Sequence, residues 1–505
     1  MTGAGRRPLG WLALALLVAL TGITLVLGYA NKARCVGPEF DGSGRSQPDF
    51  TLRGYRDVCY SDIQTLWLGR DIDTHVVPYV DGSITPGGEL RGGTVEYPVL
   101  TGLLIWVSAL GADTDGGFLL GSALVMAPFG LLTGWLLGQL ARWRALLWAL
   151  GPPLVLYAFH NWDLPVVACA VAAVAVMHRP RRWPLARRGV VAAVLLGLGF
   201  AFKLYPGIFV LPLALYVLTR GQDGTGELDR RGALQVCGAA IATVVLVNLP
   251  FALAGYQGWR ASITFQQLRK VDLSTNSIWY WGFRPYSEPG NAVFQSAMDR
   301  VTPTLVLLSF AVAAAAGWRR WRREGVYPWL GVSAAMLCGF LLLHKVHSPQ
   351  YTLWLLPFFV LLAVPWRWVA AYLVVDAVMG VSIFRWLWLL NTGGDQSILG
   401  GLTVQGVVLG VWGRAVLLVV LFVLFLRVPD TLARSARPAG GSAPGEDRLL
   451  EVRDAGRPPV QDDLPELVQH RARGGVHEPF EERDLDDRGV GLRNGDEARL
   501  DVDHP

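Results

Sequence analysis

The sequence predicts an all-α membrane protein that crosses the bilayer many times. Hydrophobic residues make up 52% of its 505 positions and charged residues only 17%, a balance that soluble domains do not have. Apolar segments recur along most of the chain, and many approach the roughly 20 residues that a transmembrane helix needs. The 20 Trp are typical of a protein with aromatic belts at both membrane interfaces. Together these observations exclude a soluble enzyme with a single anchor.

Twelve apolar segments predict about twelve transmembrane helices. The first, 9–29, follows Arg6 and Arg7, which places the N-terminus in the cytoplasm under the positive-inside rule. Because this segment is longer than a typical signal-peptide core, we expect a retained helix. The other segments are 118–139, 145–159, 164–178, 189–203, 207–219, 233–254, 301–318, 327–343, 350–364, 367–384 and 402–426.

The basic residues support one orientation of these segments. With the N-terminus inside, the clusters Arg142/Arg144, 179–188, Arg230/Arg231, 319–323 and the single Arg367 all fall in cytoplasmic loops, as the positive-inside rule expects. We therefore interpret the net charge of +5 as a topology signal, and we predict no nucleic-acid partner. Beyond the membrane domain (1–427), residues 428–505 hold 11 Arg against 18 Asp and Glu and predict a disordered acidic cytoplasmic tail.

The loop 31–117 is then a large first extracytoplasmic loop. Its apolar stretch 98–111 is short for a span, and a crossing there would put Arg142 and Arg144 outside and Asp113 inside, against the usual bias. We therefore expect an interfacial helix. Cys35 and Cys59 lie in the same loop and could form a disulfide in an oxidising exterior, although the sequence alone does not decide whether they pair.

Ionisable residues collect at helix ends on the predicted outer face, where they are costly to desolvate and often mark a site. Asp62 could be a catalytic base, a solvated carboxylate or a helix cap. Asp163 could orient a ligand, but we favour an N-cap for the segment that begins at Leu164. Lys203 could contact a phosphate or simply extend to the interface. Asp71 and Asp73 have a spacing that could hold a cation, yet Arg70 adjoins them and we predict no metal site there.

The segment His344-Lys345-Val346-His347 offers three further polar side chains on this face. Two His three residues apart with no third ligand nearby do not predict zinc, so hydrogen bonding to phosphate or hydroxyl groups is the better interpretation. Trp67, Trp279 and Trp281 lie in predicted external loops and could stack on sugar faces. The other Trp are interpreted as interfacial belt residues.

Several motifs then resemble glycosyltransferase family 87, a family of the C-type membrane glycosyltransferases. They are Tyr60-Ser61-Asp62, Trp67, Pro78-Tyr79, Glu96-Tyr97-Pro98 and Phe202-Lys203-Leu204-Tyr205-Pro206. The resemblance extends over most of 8–427 and none of the tail. Val99 stands where many relatives have a second Pro, and 31–56 resembles an insertion.

The resemblance implies inverting transfer of a mannosyl or other sugar residue from a polyprenyl phosphate to a glycolipid or glycan acceptor at the outer face, typically as an α-1,2-mannosyl bond. It implies Asp62 as the general base, and it implies donor-phosphate contacts from Lys203, with His344, Lys345 and His347 as further candidates. The weaker substrate-binding candidates are Tyr60, Trp67, Tyr79, Glu96, Tyr97, Asp163 and Trp279. No cofactor is expected besides the polyprenyl-phosphate donor, and no divalent cation is expected.

Two other functions share part of this pattern. A flippase or transporter for a lipid-linked glycan would also need many spans and a basic lipid-phosphate site, but inverted repeats with interrupted helices are expected there and none is evident. A non-catalytic membrane assembly factor would account for the acidic tail but not for the motifs around Asp62.

Overall fold

The computed structural model describes residues 9–178, 183–221, 227–288 and 290–429. The all-α prediction is confirmed for this part of the chain, and the predicted tail lies outside it from residue 430 onward. The helices are α1 Trp11–Ala33, α2 Phe50–Arg56, α3 Asp62–Gly69, α4 Val99–Ala109, α5 Asp115–Ala141, α6 Leu146–Ala149, α7 Pro152–Tyr157, α8 Leu164–Met177, α9 Leu185–Phe202, α10 Val210–Leu218, α11 Arg230–Ala254, α12 Tyr256–Leu268, α13 Ile278–Gly282, α14 Ala292–Glu324, α15 Trp329–Leu343, α16 Thr352–Leu361, α17 Trp366–Asn391 and α18 Leu402–Arg427.

Two small antiparallel hairpins complete the described structure, both in the first long loop. Strand β1 (Glu39–Phe40) pairs with β2 (Ser46–Gln47), and β3 (Ser83–Ile84) pairs with β4 (Leu90–Arg91). Each strand is only two residues long, so the hairpins fix local turns and do not form a sheet layer.

Among the described residues, seven helical segments are long and apolar enough to cross a membrane. The protein is therefore a multi-pass membrane protein, while the number of crossings near twelve stays a prediction. The seven are α1, Asp115–Ala149, α9, α11, α14, α17 and α18, and shorter apolar helices occur at α4, α8, Tyr205–Leu218 and α15.

The predicted segment 145–159 differs from the others because it is not one helix. It is divided into α6 and α7, and Gly151 between them has an extended backbone (ψ 132°). Pro152 and Pro153 follow, and a residue before proline is pushed out of the helical region because of the clash with the proline ring. Proline also has no N–H to continue the hydrogen-bond ladder of α6.

The short helix α4 corresponds to the apolar stretch 98–111. Its 11 residues span roughly 16 Å at the 1.5 Å rise of an α-helix, about half of the hydrocarbon thickness. It packs against α5 and α9. The helix itself is thus confirmed, and its position in the interface stays a prediction.

The centre of the helical core is α16, of which every residue is buried. It contacts α5, α6, α8 and α15, so it joins the group of α1, α5, α8 and α9 to the group of α14, α15, α17 and α18. The loop before α16 and the loop before α8 therefore meet at one end of the core.

The first long loop is held together by a buried ion pair and a disulfide. Asp115, fully buried at the start of α5, accepts hydrogen bonds from Arg45 (3.1 Å) and from the Ser46 backbone N–H (3.0 Å). The same guanidinium donates to the backbone carbonyls of Gln64 and Thr65 in α3. Arg45 thus ties α3 to the beginning of α5.

The sulfurs of Cys35 and Cys59 form a disulfide in this structure, with their Cα atoms 5.9 Å apart. The bond joins the end of α1 to the residues just before α3. We expect that alkylation of the denatured, unreduced protein will modify three of its five Cys, namely Cys169, Cys237 and Cys338, and that reduction will expose the other two. Mass spectrometry of the alkylated chain checks this.

The double variant Cys35→Ser/Cys59→Ser should lower the free energy of unfolding by about 3 kcal/mol, because the open loop gives the unfolded chain more conformations. Cys169→Ser, at a half-buried free thiol, is the control. Modification of all five Cys without reduction would contradict the pairing.

Candidate active site

Asp62 is the first residue of α3, and the start of this helix is joined to the loop between α7 and α8. The Ser61 hydroxyl accepts a hydrogen bond from the Ile63 N–H (3.2 Å) and donates to the carbonyl of Phe159 (2.7 Å). The Asp62 N–H donates to the carbonyl of His160 (2.9 Å). Because the Asp62 N–H and the Ser61 hydroxyl both donate to carbonyls of this loop, the start of α3 is satisfied there and the backbone of Asp62 is fixed relative to residues 158–163.

Asn161 connects Asp62 to the rest of the site. Its side-chain amide donates to the Asp62 carboxylate (2.7 Å) and lies 2.7 Å from the Tyr97 hydroxyl. Its carbonyl oxygen accepts from the Lys203 ammonium (2.9 Å). A single amide therefore orients one oxygen of Asp62 and holds three elements together.

Lys203 and Asp163 form a buried ion pair beside Asn161. The Lys203 ammonium donates to the Asp163 carboxylate (2.7 Å), and the Trp354 indole N–H donates to the same oxygen (2.7 Å). Asp163 does precede α8, but its side chain makes no capping hydrogen bond, so the favoured N-cap interpretation is wrong. Lys203 is buried, so the alternative of an interfacial, solvent-reaching side chain is wrong as well.

The two carboxylates of this network differ in exposure. The Asp163 side chain is fully buried, whereas the Asp62 side chain is 24% exposed. Asn161 and Lys203, which lie between them, are buried. Asp62 is thus the carboxylate of this network that an external hydroxyl group can reach.

His160 is close to Asp62 but does not form an ion pair with it under neutral conditions. Its Nε2 lies 3.9 Å from the Asp62 carboxylate. Burial, followed by the charges of Lys32 and Lys203, lowers the pKa of His160 well below its ordinary value. The imidazole is therefore neutral at physiological pH, and Lys203 is the cation of the network that contains Asp62. The Lys32 ammonium is itself buried and donates to the carbonyl of Tyr60 (2.8 Å).

A stack of aromatic rings extends from the ion pair to His347. Tyr205 stacks on Trp354 with ring centroids 4.3 Å apart, and Trp354 stacks on Tyr351 at 3.9 Å. Tyr351 meets the His347 ring edge-on at 5.4 Å. The structure thus brings His347 towards the Lys203 end of the network.

The three candidates of the segment 344–347 have separate partners. Lys345 pairs with Asp299 of α14. His344 Nδ1 lies 2.9 Å from the carbonyl of Val346, and His347 Nδ1 lies 3.1 Å from the carbonyl of Leu341. Burial is the main cause that lowers the pKa of both imidazoles, so neither is positively charged near neutral pH. Because a carbonyl only accepts, each Nδ1 carries the imidazole proton, and each Nε2 can only accept a hydrogen bond.

Tyr60 and Tyr97 lie on either side of Asp62. Tyr60 stacks on Phe384 of α17 (5.4 Å) and lies against the His160 ring. Burial and the charges of Glu96 and Asp62 raise the pKa of Tyr97 well above its ordinary value, so its hydroxyl keeps its proton. Since that oxygen accepts from Asn161, its O–H remains available to a ligand.

The remaining candidates take supporting positions. The Glu96 carboxylate pairs with Arg70 (2.8 Å). Trp67 and Tyr79 are buried and have no ring face open to a sugar; the Tyr79 hydroxyl instead donates to the carbonyls of Tyr97 (2.9 Å) and Pro98 (3.1 Å), which fixes the entry to α4. Trp279 is half-buried, and its indole N–H donates to the carbonyl of Leu343 (2.8 Å).

The Asp71 and Asp73 pair was considered as a cation site. Asp71 accepts a hydrogen bond from the Gly92 N–H (2.9 Å) and lies 3.8 Å from Arg91. Its carboxylate therefore stabilises the chain at residues 91–92. Within the described ranges, no group of three or more His, Cys, Asp or Glu side chains could hold a metal ion together.

Sequence reasoning missed three polar residues at this site: Asn161, Lys32 and Arg269. Asn161 belongs to the polar run His160-Asn161-Trp162-Asp163 between two apolar segments, which was a signal for the loop but not for the amide. Lys32 follows the first apolar segment, so its position in the sequence indicated only a basic residue at the end of a transmembrane helix. Arg269 is half-buried after α12, and within the described part of the chain it has neither a hydrogen bond nor an ion pair.

The chain was also compared with known proteins. The model of glycosyltransferase family 87 matches residues 96–349, about half of the chain. The matched range contains Asn161, Asp163, Lys203 and the segment 344–347, and it begins after Asp62.

Among solved structures, the chain is similar to the Archaeoglobus fulgidus oligosaccharyltransferase in its apo form, with 12% sequence identity and a TM-score of 0.35. The similarity covers 86% of this chain and 58% of that one, so the chain spans less than two thirds of the length of that protein. At this TM-score the likeness carries no argument about the site.

The buried ion pair makes a quantitative prediction about stability. Lys203→Met should lower the free energy of unfolding by about 3–5 kcal/mol, because it leaves the Asp163 carboxylate buried without its cation. Adding Asp163→Asn to it should restore a large part of that loss. Chemical denaturation of the detergent-solubilised protein in a double-mutant cycle measures the coupling. Strictly additive effects of the two substitutions would contradict a direct pair.

Proposed function

We propose that this chain, which belongs to glycosyltransferase family 87, transfers a mannosyl or related sugar residue from a polyprenyl phosphate to a lipid or glycan acceptor. The chain is a membrane glycosyltransferase by its family. The donor, the acceptor and the inverting mechanism are the proposed part. Asp62 is the general base in this proposal.

The observation that carries the proposal is the environment of Asp62. One of its oxygens is held by Asn161 at 2.7 Å, and its side chain is 24% exposed beside a buried Lys203 and Asp163 pair. A base needs to be fixed and reachable. Asp62 satisfies these conditions, whereas Asp163 is buried and already paired.

The reaction follows from this placement. The acceptor hydroxyl oxygen attacks the anomeric carbon of the donor from the face opposite the phosphate, and the bond from that carbon to the phosphate oxygen breaks. The electron pair of that bond leaves with the polyprenyl phosphate, and Asp62 takes the hydroxyl proton. Because the sugar carbon acquires oxocarbenium character, a carboxylate is a sufficient base for this step.

The leaving phosphate gains negative charge, so a nearby cation stabilises the transition state. Lys203 and Lys345 are each paired with a carboxylate, which weakens their attraction for an added anion. Arg269 has no such partner among the described residues. Its charge also contributes to the lowered pKa of His344, after burial and Lys345, as expected of a neighbouring group. We assign the main phosphate contact to Arg269, because the Nδ1–H groups of the neutral His344 and His347 imidazoles are already used by backbone carbonyls.

The segment that carries Arg269 is well fixed. The Val271 N–H donates to the Gln295 side chain (3.0 Å), which returns a hydrogen bond to the Val271 carbonyl (2.8 Å). Further along, the Asn276 N–H donates to the carbonyl of His347 (2.9 Å). A preorganised cation loses little freedom when it binds an anion.

The proposed face is extracytoplasmic. The basic loops of the sequence support this orientation, and a disulfide next to Asp62 is typical of an oxidising compartment. A polyprenyl phosphate carries its sugar at the level of the lipid headgroups, which is also where the ends of these helices would lie.

Asp62→Asn should abolish transfer while both substrates still bind, because the amide keeps the shape of the side chain but cannot accept the proton. The measurement uses membrane vesicles supplied with polyprenyl phosphate mannose and an acceptor glycolipid. Asp81→Asn, at an exposed carboxylate of the same loop, is the matched control and should retain full activity. Unchanged turnover in Asp62→Asn would refute the base assignment, and no sugar transfer by the wild type would refute the proposed reaction.

Arg269→Gln should raise the KM for the polyprenyl phosphate donor roughly tenfold or more, because it removes a charge-assisted contact worth about 1.5–3 kcal/mol. The KM for the acceptor should not change. Arg260→Gln, on the exposed side of α12 where Arg260 contacts the Tyr256 hydroxyl, serves as the comparison. Equal donor KM values in both variants would exclude Arg269 from the phosphate site.

A further inference from the structure

An open cleft with a cavity volume of about 170 Å³ lies between α2 and the last turn of α17. Its walls are Pro48, Asp49, Leu52, Arg53, Arg56 and Trp388. None of these residues belongs to the network around Asp62, and all lie outside the range 96–349 that the family model matches.

The side chains of the cleft are those that recognise a carbohydrate. Trp388 is half-buried, and its indole N–H has no hydrogen-bond partner among the described residues. The carboxylate of Asp49 is exposed, and although Asp49 precedes α2 it makes no capping hydrogen bond. An indole face packs on the C–H groups of a sugar ring, while a carboxylate and a guanidinium bind its hydroxyl groups.

The cleft is rigid before any ligand arrives. Arg53 donates to the carbonyls of Gln47 (3.3 Å) and Cys35 (2.8 Å), and the disulfide of Cys35 ties the same segment to the end of α1. Arg56 pairs with Asp57 (2.9 Å) and keeps an exposed side chain. Since α2 packs directly on α17, the two walls have a fixed separation.

Aromatic rings connect the cleft to Asp62. Tyr55, in α2, stacks on Tyr60 at 5.6 Å, and Tyr60 stacks on Phe384 at 5.4 Å. Trp388 lies four residues after Phe384 in α17, one helical turn or roughly 6 Å along the axis. Tyr60 and Phe384 are covered by these contacts, so they act as a spacer between Asp62 and the cleft. A chain of sugar rings whose reacting end lies at Asp62 would reach Trp388 over the outer side of this aromatic cluster.

We propose that this cleft is an acceptor subsite that binds a sugar residue beyond the one that receives the new unit. This inference rests on the proposed glycosyl transfer and adds a preference for acceptors that carry several sugar residues. Trp388 provides the stacking surface, and Asp49 accepts hydrogen bonds from sugar hydroxyl groups. Asp49 lies in the segment 31–56, which resembles an insertion, whereas Trp388 belongs to α17.

The test compares a short and a long acceptor, octyl mannoside and octyl mannotrioside, with polyprenyl phosphate mannose as donor. Trp388→Ala should raise the KM for the trioside roughly tenfold, while kcat, the donor KM and the KM for the short acceptor stay unchanged. Asp49→Asn should show the same pattern with a smaller effect. Asn is chosen because Asp49 has a positive φ of 48°, a conformation that Asn tolerates well.

Trp366→Ala is the matched control, because Trp366 is an exposed Trp at the opposite end of the same helix. Its kinetics should equal those of the wild type with both acceptors. An equal change in KM for both acceptors, a fall in kcat, or no change in Trp388→Ala would overturn the subsite. A wild type that transfers to neither acceptor refutes the proposed function and the subsite with it, whereas a wild type that transfers while Trp388→Ala behaves identically refutes the subsite alone.

Discussion

The hydrogen bonds of Asn161 hold the site together. This amide contacts the Asp62 carboxylate, the Tyr97 hydroxyl and the Lys203 ammonium, which come from three separate parts of the chain. Lys203 carries its charge into a buried position only because Asp163 is there to pair with it, and a buried charge without a partner is strongly destabilising. The polar loop between α7 and α8 is therefore the part on which the position of Asp62 depends.

The distribution of charge around this loop separates two tasks. The buried pair of Lys203 and Asp163 fixes geometry, and its charges largely cancel. Asp62 keeps an exposed edge, and among the described residues Arg269 has no hydrogen-bond or ion-pair partner, so these are the groups assigned to chemistry and to phosphate. His344 and His347 add no charge, since burial lowers the pKa of each.

The helical architecture could be predicted because hydrophobic length is a local property of the sequence, and α1, α11 and α18 follow the predicted segments closely. The Pro152-Pro153 pair that divides 145–159 is visible in the sequence. We nevertheless predicted one continuous helix there, because the prediction relied on apolar composition and not on the backbone chemistry of proline. Tertiary partners were harder to predict. The residues next to Asp163 do not show that it pairs with Lys203, 40 positions away. Likewise, the residues next to Trp67 do not show that its indole faces the core rather than a ligand. The resemblance identified Asp62, but only the three-dimensional contacts identified Asn161.

The buried pair between Arg45 and Asp115 has a consequence for biosynthesis. Arg45 donates to the carbonyls of Gln64 and Thr65 in α3 and pairs with Asp115, the first residue of α5. The Asp62 N–H donates to the carbonyl of His160, which lies still later in the chain. During synthesis from the N-terminus, the segment with Asp62 is therefore made before the residues that anchor it. The position of Asp62 becomes fixed only once Asp115 and His160 have been made and have folded against this segment, so a shorter nascent chain holds the carboxylate without its partners.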